Sequence, residues 1–185
     1  MAPLVSALRQ GSAHACLTGL HGSTPAFALT SLATAPALAA LRNRPWVVVT
    51  GSNEAAERMF ADLCFCHQMV GAAVDRITLF PQWETLPYES TAPHVGLIAH
   101  RMQTLHRLRT TPGTMLVTSV AALMHRLLPA DAWTRATLRL TKNGSIEREV
   151  LTAKLLALGY RRVSVVEIPG EFTIRGGLVD IFSTA

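Results

Sequence analysis

The chain has 185 residues, 49% of them hydrophobic and 6% aromatic, with 17 Lys and Arg against 12 Asp and Glu for a formal net charge of +5. That size and apolar content allow one good core plus a small satellite domain. The most apolar stretch, residues 26–41, is interrupted by Thr30, Ser31, Thr34 and Pro36 and falls short of a bilayer span, and residues 1–9 lack a basic segment ahead of an apolar one; the expectation is a cytoplasmic protein without membrane contact. Cys16, Cys64 and Cys66 are too few and too unevenly placed for a disulfide framework, and the Cys64-Phe65-Cys66-His67 run has no second ligand pair at metal-binding spacing. The positive charge is spread among single arginines and the aromatic content is low, which permits contact with an acidic partner but argues against a base-stacking platform.

In chain order, short apolar runs alternate with longer amphipathic ones up to about residue 127, as a parallel α/β sheet requires. Residues 13–17 read as a first strand, 26–41 as a helix, and Trp46–Thr50 as a strand buried on both faces. Asn53 is placed to cap the next helix, with Glu54 and Glu57 in its first turns and Ala56, Phe60, Leu63 and Cys64 as its apolar stripe. A third strand follows over 77–80. A helix over 94–109 carries Leu97, Ile98, Met102, Leu105 and Leu108 at helical spacing. The segment 81–93 between them holds three prolines, Trp83, Tyr88, Glu84 and Glu89; a loop this long covers a sheet edge or contacts another domain. Residues 114–118 read as another buried strand, followed by a short helix.

Beyond residue 128 the period changes. Residues 134–140 alternate as a half-exposed strand, Lys142-Asn143-Gly144 forms a turn, and 146–158 form an amphipathic helix ended by Gly159. Two strand-like runs follow, with Val163, Val165 and Ile168 in one and Leu178, Val179, Ile181 and Phe182 in the other, separated by a Pro169-Gly170 turn and an Arg175-Gly176-Gly177 break. A sheet ending near Phe182 is expected to carry an unpaired edge and to fray. A boundary near residues 119–129 divides an α/β domain, 1–125, from a smaller α+β domain, 126–185.

The turn before the first predicted helix, Gly19-Leu20-His21-Gly22-Ser23-Thr24-Pro25-Ala26, sits where a phosphate-binding loop would. Such a loop needs a glycine, a lysine and a Ser/Thr hydroxyl to cradle phosphate and hold magnesium. Thr24, Pro25 and Ala26 stand in those places, and proline also removes an amide donor. Nucleotide binding here is expected to be weak or absent. No catalytic group emerges elsewhere: Glu84 and Glu89 share a loop without a metal partner, the histidines are dispersed, and Ser12, Ser23 and Ser119 lack a nucleophile-elbow context.

Several blocks carry a resemblance. Trp83-Glu84-Thr85-Leu86-Pro87-Tyr88-Glu89 and the run from Gly170-Glu171-Phe172 to Asp180 are the specific ones, with Gly19–Ser23, Trp46–Thr50 and the segment from Val117 to Pro129 supporting them in order. The chain resembles the transcription-repair coupling factor (Mfd) family, and its last block resembles the UvrB interaction domain shared with the helicase UvrB. The resemblance implies a degenerate RecA-like, P-loop-type first domain and a UvrB-interaction second domain that is incomplete at its C-terminus. It implies UvrA as partner, with Arg175, Arg161 and Arg162 at the contact by motif position. It implies further contacts with other domains of a longer parent protein, and with RNA polymerase and DNA through those other parts. ATP and magnesium would belong to motor domains elsewhere in that parent, and this chain would hold no cofactor or metal. For Arg175 two readings stand: a guanidinium beside a strand break free to pair with a partner's carboxylate, or an internal ion pair with Glu171 or Asp180. Phe172 reads as a core plug.

Two other functions compete. One is a UvrB-like nucleotide-dependent helicase fragment, which requires saturable ATP binding. The other is an accessory module that binds DNA without sequence preference, whose binding would fall steeply with salt.

Overall fold

In the computed structural model, residues 2–12, 14–85 and 93–183 are described. The chain divides into two units, Met1–Glu84 with Gln103–Met124 and Thr85–Met102 with His125–Ala185.

The first unit is built on three parallel strands, β1 (Trp46–Thr50), β2 (Ile77–Phe80) and β3 (Met115–Ser119), in the order β1-β3-β2. β3 is central and buried along its whole length, as the continuous apolar run predicts. β1 departs from its expectation. It is an edge strand whose Val47 and Val49 are 52% and 47% exposed, because only the face bearing Trp46 and Val48 is covered.

Eight-residue α1 (Ala2–Arg9) opens the chain. The helix expected over 26–41 is two: α2 (Thr24–Thr34) and a 3-10 turn, Pro36–Leu41. Pro36 lacks an N–H and its ring clashes with the preceding turn, so the α-helical ladder cannot pass it. α3 (Asn53–Met69) is capped by Ser52, whose Oγ accepts from the Ala55 amide at 3.1 Å. Asn53, the expected cap, lies inside the helix instead; its Nδ2 donates to Glu57 Oε1 at 2.7 Å and its Oδ1 accepts from the Gln82 amide at 3.1 Å. The part of α4 (Val95–Thr110) from Gln103 onward and α5 (Val120–Leu123) complete the helices of this unit.

Strand alternation produces two cores. Ile77, Leu79, Met115 and Val117 pack against Ala26 of α2 and Ala56, Leu63 and Cys66 of α3. On the other face Phe80 and Leu116 meet Leu105, Leu108 and Ala122, and Thr78 Oγ1 lies 3.1 Å from Thr104 Oγ1.

The strand expected over 13–17 is not formed in its described part. Residues 14–19 are all exposed and form no ladder, so no face is buried to hold a strand in register. The parallel sheet of the predicted α/β domain is therefore present, but the strand that would lead into a P-loop is not. Of the 81–93 loop, residues 86–92, including Tyr88 and Glu89, lie outside the described residues; Trp83 is half-buried.

In the second unit, residues 134–140 do not form the expected strand. α6 (Ala130–Arg135) runs into that segment, braced by an Arg135–Asp131 pair at 3.0 Å, and the chain then continues irregularly. Of its alternating apolar residues Leu138 enters the core, whereas Leu140 is exposed. The turn at 142–144 forms, with Asn143 at φ 66°. α7 (Arg148–Ala157) ends at Gly159, where φ is 85° and the Tyr160 amide reaches back to the Leu155 carbonyl at 3.0 Å.

The terminal sheet has three strands, β4 (Arg161–Arg162), β5 (Glu171–Arg175) and β6 (Leu178–Ile181), in that spatial order. β4 runs parallel to β5, and β5 and β6 form an antiparallel hairpin about Gly176-Gly177. The first predicted apolar run is thus not a strand: Val165 and Ile168 are exposed, and the central strand is the Phe172-Thr173-Ile174 segment between the two glycine breaks. Among the described residues no helix is long and apolar enough to cross a membrane.

Candidate functional site

Strand alternation sorts the terminal sheet into an apolar face and a charged face. Phe172 is fully buried, as a core plug should be, together with Ile174, Val179 and Ile181 against Leu151 and Leu155 of α7. The other side chains of β5 and β6, Glu171, Thr173, Arg175, Leu178 and Asp180, occupy the opposite face. Arg161 joins them, because it sits directly opposite Glu171 in the parallel ladder.

Two ion pairs organise that face. Arg161 Nη2 donates to Glu171 Oε1 at 2.5 Å, and Glu171 Oε2 accepts from the amides of Glu167 at 2.9 Å and Ile168 at 3.2 Å. Glu171 is buried, and both of its carboxylate oxygens are hydrogen-bonded within the protein. The Glu167 amide, then the Arg161 guanidinium and the Ile168 amide hold its carboxyl below the usual carboxylate range. The same contacts explain why 163–168 is not a strand: two of its amides are satisfied by a side chain and not by a ladder.

Arg175 Nη2 donates to Asp180 Oδ2 at 2.8 Å. The register sets Arg175 opposite Leu178 and Thr173 opposite Asp180, so this is a diagonal cross-strand pair. The internal pairing weighed for Arg175 is thus made with Asp180, while Glu171 belongs to Arg161. Both guanidiniums stay in solvent, with side chains 69% and 66% exposed; the Arg175–Asp180 pair, exposed at both ends, contributes only about 0.2–1 kcal/mol to stability. Each fork has five N–H donors, and the edges not turned to these carboxylates remain open to a second acid. Leu178, 70% exposed, supplies apolar surface beside Arg175.

Arg162 is on the other side. It lines a groove with Arg148, Glu149, Thr152 and Leu156 of α7 and with Ile174. The three predicted arginines therefore do not form one cluster: Arg161 and Arg175 share a face and Arg162 does not. Sequence reasoning left Glu171 and Asp180 without an assigned role beyond that alternative pairing. An acidic residue immediately after Pro169-Gly170 and beside Phe172 was the available signal for the first.

The Gly19–Ala26 segment belongs to the first unit. Gly19 and Gly22 have φ of 77° and 55°. Thr24 donates both its amide, at 3.1 Å, and its Oγ1, at 2.6 Å, to the His21 carbonyl. Ser23 makes no side-chain cap, Pro25 occupies the first turn of α2, and Ala26 is fully buried in the core. Among the described residues no group of three or more His, Cys, Asp or Glu side chains could hold a metal.

Comparison with known proteins bears on both units. Residues 138–185 match the family described as UvrB interaction domain. The chain is 34% identical over 158 residues to the transcription-repair-coupling factor of Escherichia coli K12, covering 83% of the chain and 13% of that protein. It is 35% identical over 159 residues to that of Mycobacterium tuberculosis, covering 82% and 12%. With the Bacillus subtilis protein it shares 28% identity over 180 residues, 97% of the chain and 14% of the relative. The chain thus spans about one seventh of the length of these relatives. With matches over most of its length and a UvrB interaction domain in residues 138–185, it belongs to the transcription-repair-coupling factor family.

Proposed function

We propose that this chain is the UvrA-recruiting part of a protein acting in transcription-coupled nucleotide excision repair. In this reading residues 126–185 dock onto UvrA and residues 1–125 serve as a non-catalytic scaffold. The observation that carries it is the pair of exposed guanidiniums, Arg161 and Arg175, fixed on one face of the sheet inside the segment that matches the UvrB interaction domain. Each is aimed by a carboxylate from its own sheet, so little conformational freedom remains to be lost when a partner's acid joins the pair.

The parent protein, on this account, is an ATP-dependent DNA translocase that displaces stalled RNA polymerase. Its ATP, magnesium, DNA and polymerase contacts lie in domains outside this chain. The Gly19–Ala26 segment does not fit a magnesium nucleotide: Thr24 spends its amide and hydroxyl on His21, Pro25 has no N–H, and no lysine is present to meet a terminal phosphate. The test is titration calorimetry of the chain against UvrA. Saturable binding supports the recruitment reading; no binding by a chain whose second unit is folded overturns it.

A further inference from the structure

At the amino ends of the three parallel strands, where Trp46, Ile77 and Met115 begin, the first unit has a cavity of about 380 Å³. It lies at the far end of α2 from the Gly19–Ala26 segment, bordered by Thr34 at the C-terminus of that helix. Its charged and titratable lining is all cationic or potentially so: Arg42, Arg76 and His67. Among the described residues no carboxylate lines it, and α2, β1, β2 and β3 carry no titratable side chain at all.

The geometry of His67 points into this cavity. The residue is only 6% exposed. Its Nδ1 lies 3.0 Å from the Leu63 carbonyl and 2.9 Å from Thr30 Oγ1. A carbonyl can only accept, so the proton sits on Nδ1 and the neutral ring presents the lone pair of Nε2. Nε2 makes no hydrogen bond within the described protein, yet no fully buried side-chain polar atom is left unsatisfied. Nε2 is therefore the polar atom through which a nearly buried ring meets the cavity.

The two arginines are placed by the backbone around Gly113. A Cβ at that position would lie 2.1 Å from the Arg42 carbonyl oxygen and 3.3 Å from Arg76 Nη1. The Gly113 amide bonds the Asn43 carbonyl at 3.2 Å, and Arg42 Nη2 bonds the Thr34 carbonyl at 3.1 Å. The rim carrying both guanidiniums is thus tied to the end of the sheet and to α2, and among the described residues the remaining donors of both forks are uncommitted.

We propose that this cavity is a binding site for a phosphate group, held by Arg42, Arg76 and the Nε2 of His67. Two guanidiniums and an imidazolium supply charge and donors for a tetrahedral dianion, whereas a carboxylate would use only two coplanar positions. The volume leaves room for a body attached to the phosphate, and the half-buried Trp46 ring offers that body an aromatic wall. Burial lowers the His67 pKa, with the Leu63 carbonyl opposing that shift in part. The empty cavity therefore favours the neutral ring, and an anion beside Nε2 draws a proton onto it.

The experiment is an NMR titration of the full chain, following the His67 imidazole resonances. Three probes are added at constant ionic strength: inorganic phosphate, adenosine monophosphate and a 5′-phosphorylated oligonucleotide. A saturable shift at His67 is expected, weakening about tenfold or more in Arg76→Gln, the loss of one charged hydrogen-bonding partner. Tighter binding of the mononucleotide identifies a small-molecule ligand, and tighter binding of the oligonucleotide identifies a nucleic-acid end. No saturable shift with any probe, or an unchanged shift in both Arg76→Gln and Arg42→Gln, overturns the proposal. Both arginines are exposed, so neither variant is expected to unfold the unit, and dispersion of the remaining amide signals checks that.

Discussion

Arg161 and Glu171 face each other across the β4–β5 ladder, and the single buried carboxylate of Glu171 binds the Arg161 guanidinium with one oxygen and two turn amides with the other. The pair therefore fixes the 167–168 turn and the direction of an exposed cation at once.

This arrangement makes stability acid-sensitive. The folded-state pKa of Glu171 is held below the ordinary 4.5 by the Glu167 amide first, then Arg161 and the Ile168 amide. Its contribution is present above the unfolded-state carboxyl pKa and is lost as pH falls through the depressed folded value. In Glu171→Gln we expect a lower denaturation midpoint at neutral pH and a flatter loss of stability below about pH 4.5, the ordinary range for a glutamate. Urea denaturation of the two proteins across that range is the check; parallel curves would contradict the assignment.

Phe172→Ala should destabilise the second unit by about 3–5 kcal/mol, the usual loss for an aromatic ring deleted from a packed core. Phe172 is fully buried and packs with the α7 leucines and the β6 apolar residues together. Loss of amide protection over residues 148–181 in hydrogen exchange, with residues 46–80 unaffected, is the expected pattern.

The cap of α3 separates two adjacent residues. Ser52→Ala should cost about 1 kcal/mol through the lost bond to the Ala55 amide. Asn53→Ala should leave the cap intact and act by unpairing the Gln82 amide, about 0.5–1.5 kcal/mol. Thermal melts measure both losses, and the amide shift of Ala55 should move only in the serine variant.

Gly113 occupies a position closed to other residues. Its φ is 74°, and a Cβ would meet the Arg42 carbonyl at 2.1 Å, so Gly113→Ala must move the backbone of the 42–43 segment. A destabilisation of at least about 1 kcal/mol is expected, opposite in sign to Gly→Ala at a compatible site. Equilibrium unfolding decides between the two signs.

Much of the fold was legible where a local rule had no competitor. Residues 114–118 read as a buried strand from their apolar run, and the strand observed, Met115–Ser119, is buried throughout; Gly159 ends α7 because glycine accepts the φ of 85° there. The failures came from context that periodicity does not carry. Val47 and Val49 look like core residues until β1 is known to be an edge. Residues 134–140 alternate, but the helical turn at Trp133 to Arg135 claims the start of the segment. β5 was hidden between two glycine breaks, and Glu171 diverted the amides of the run that looked more strand-like. Of the candidate site, the faces on which the arginines lie were not legible: Arg161 and Arg162 are neighbours in sequence and opposite in the sheet.

That opposition gives the most direct test of UvrA recruitment through the Arg161–Arg175 face. Titration calorimetry against UvrA would compare the chain with its Arg175→Ala and Arg162→Ala variants, each verified as folded. Saturable binding that weakens about tenfold or more in Arg175→Ala, as expected for a lost charged hydrogen bond, and persists in Arg162→Ala is the predicted result. Binding that is absent throughout, or reduced equally by both substitutions, would contradict it.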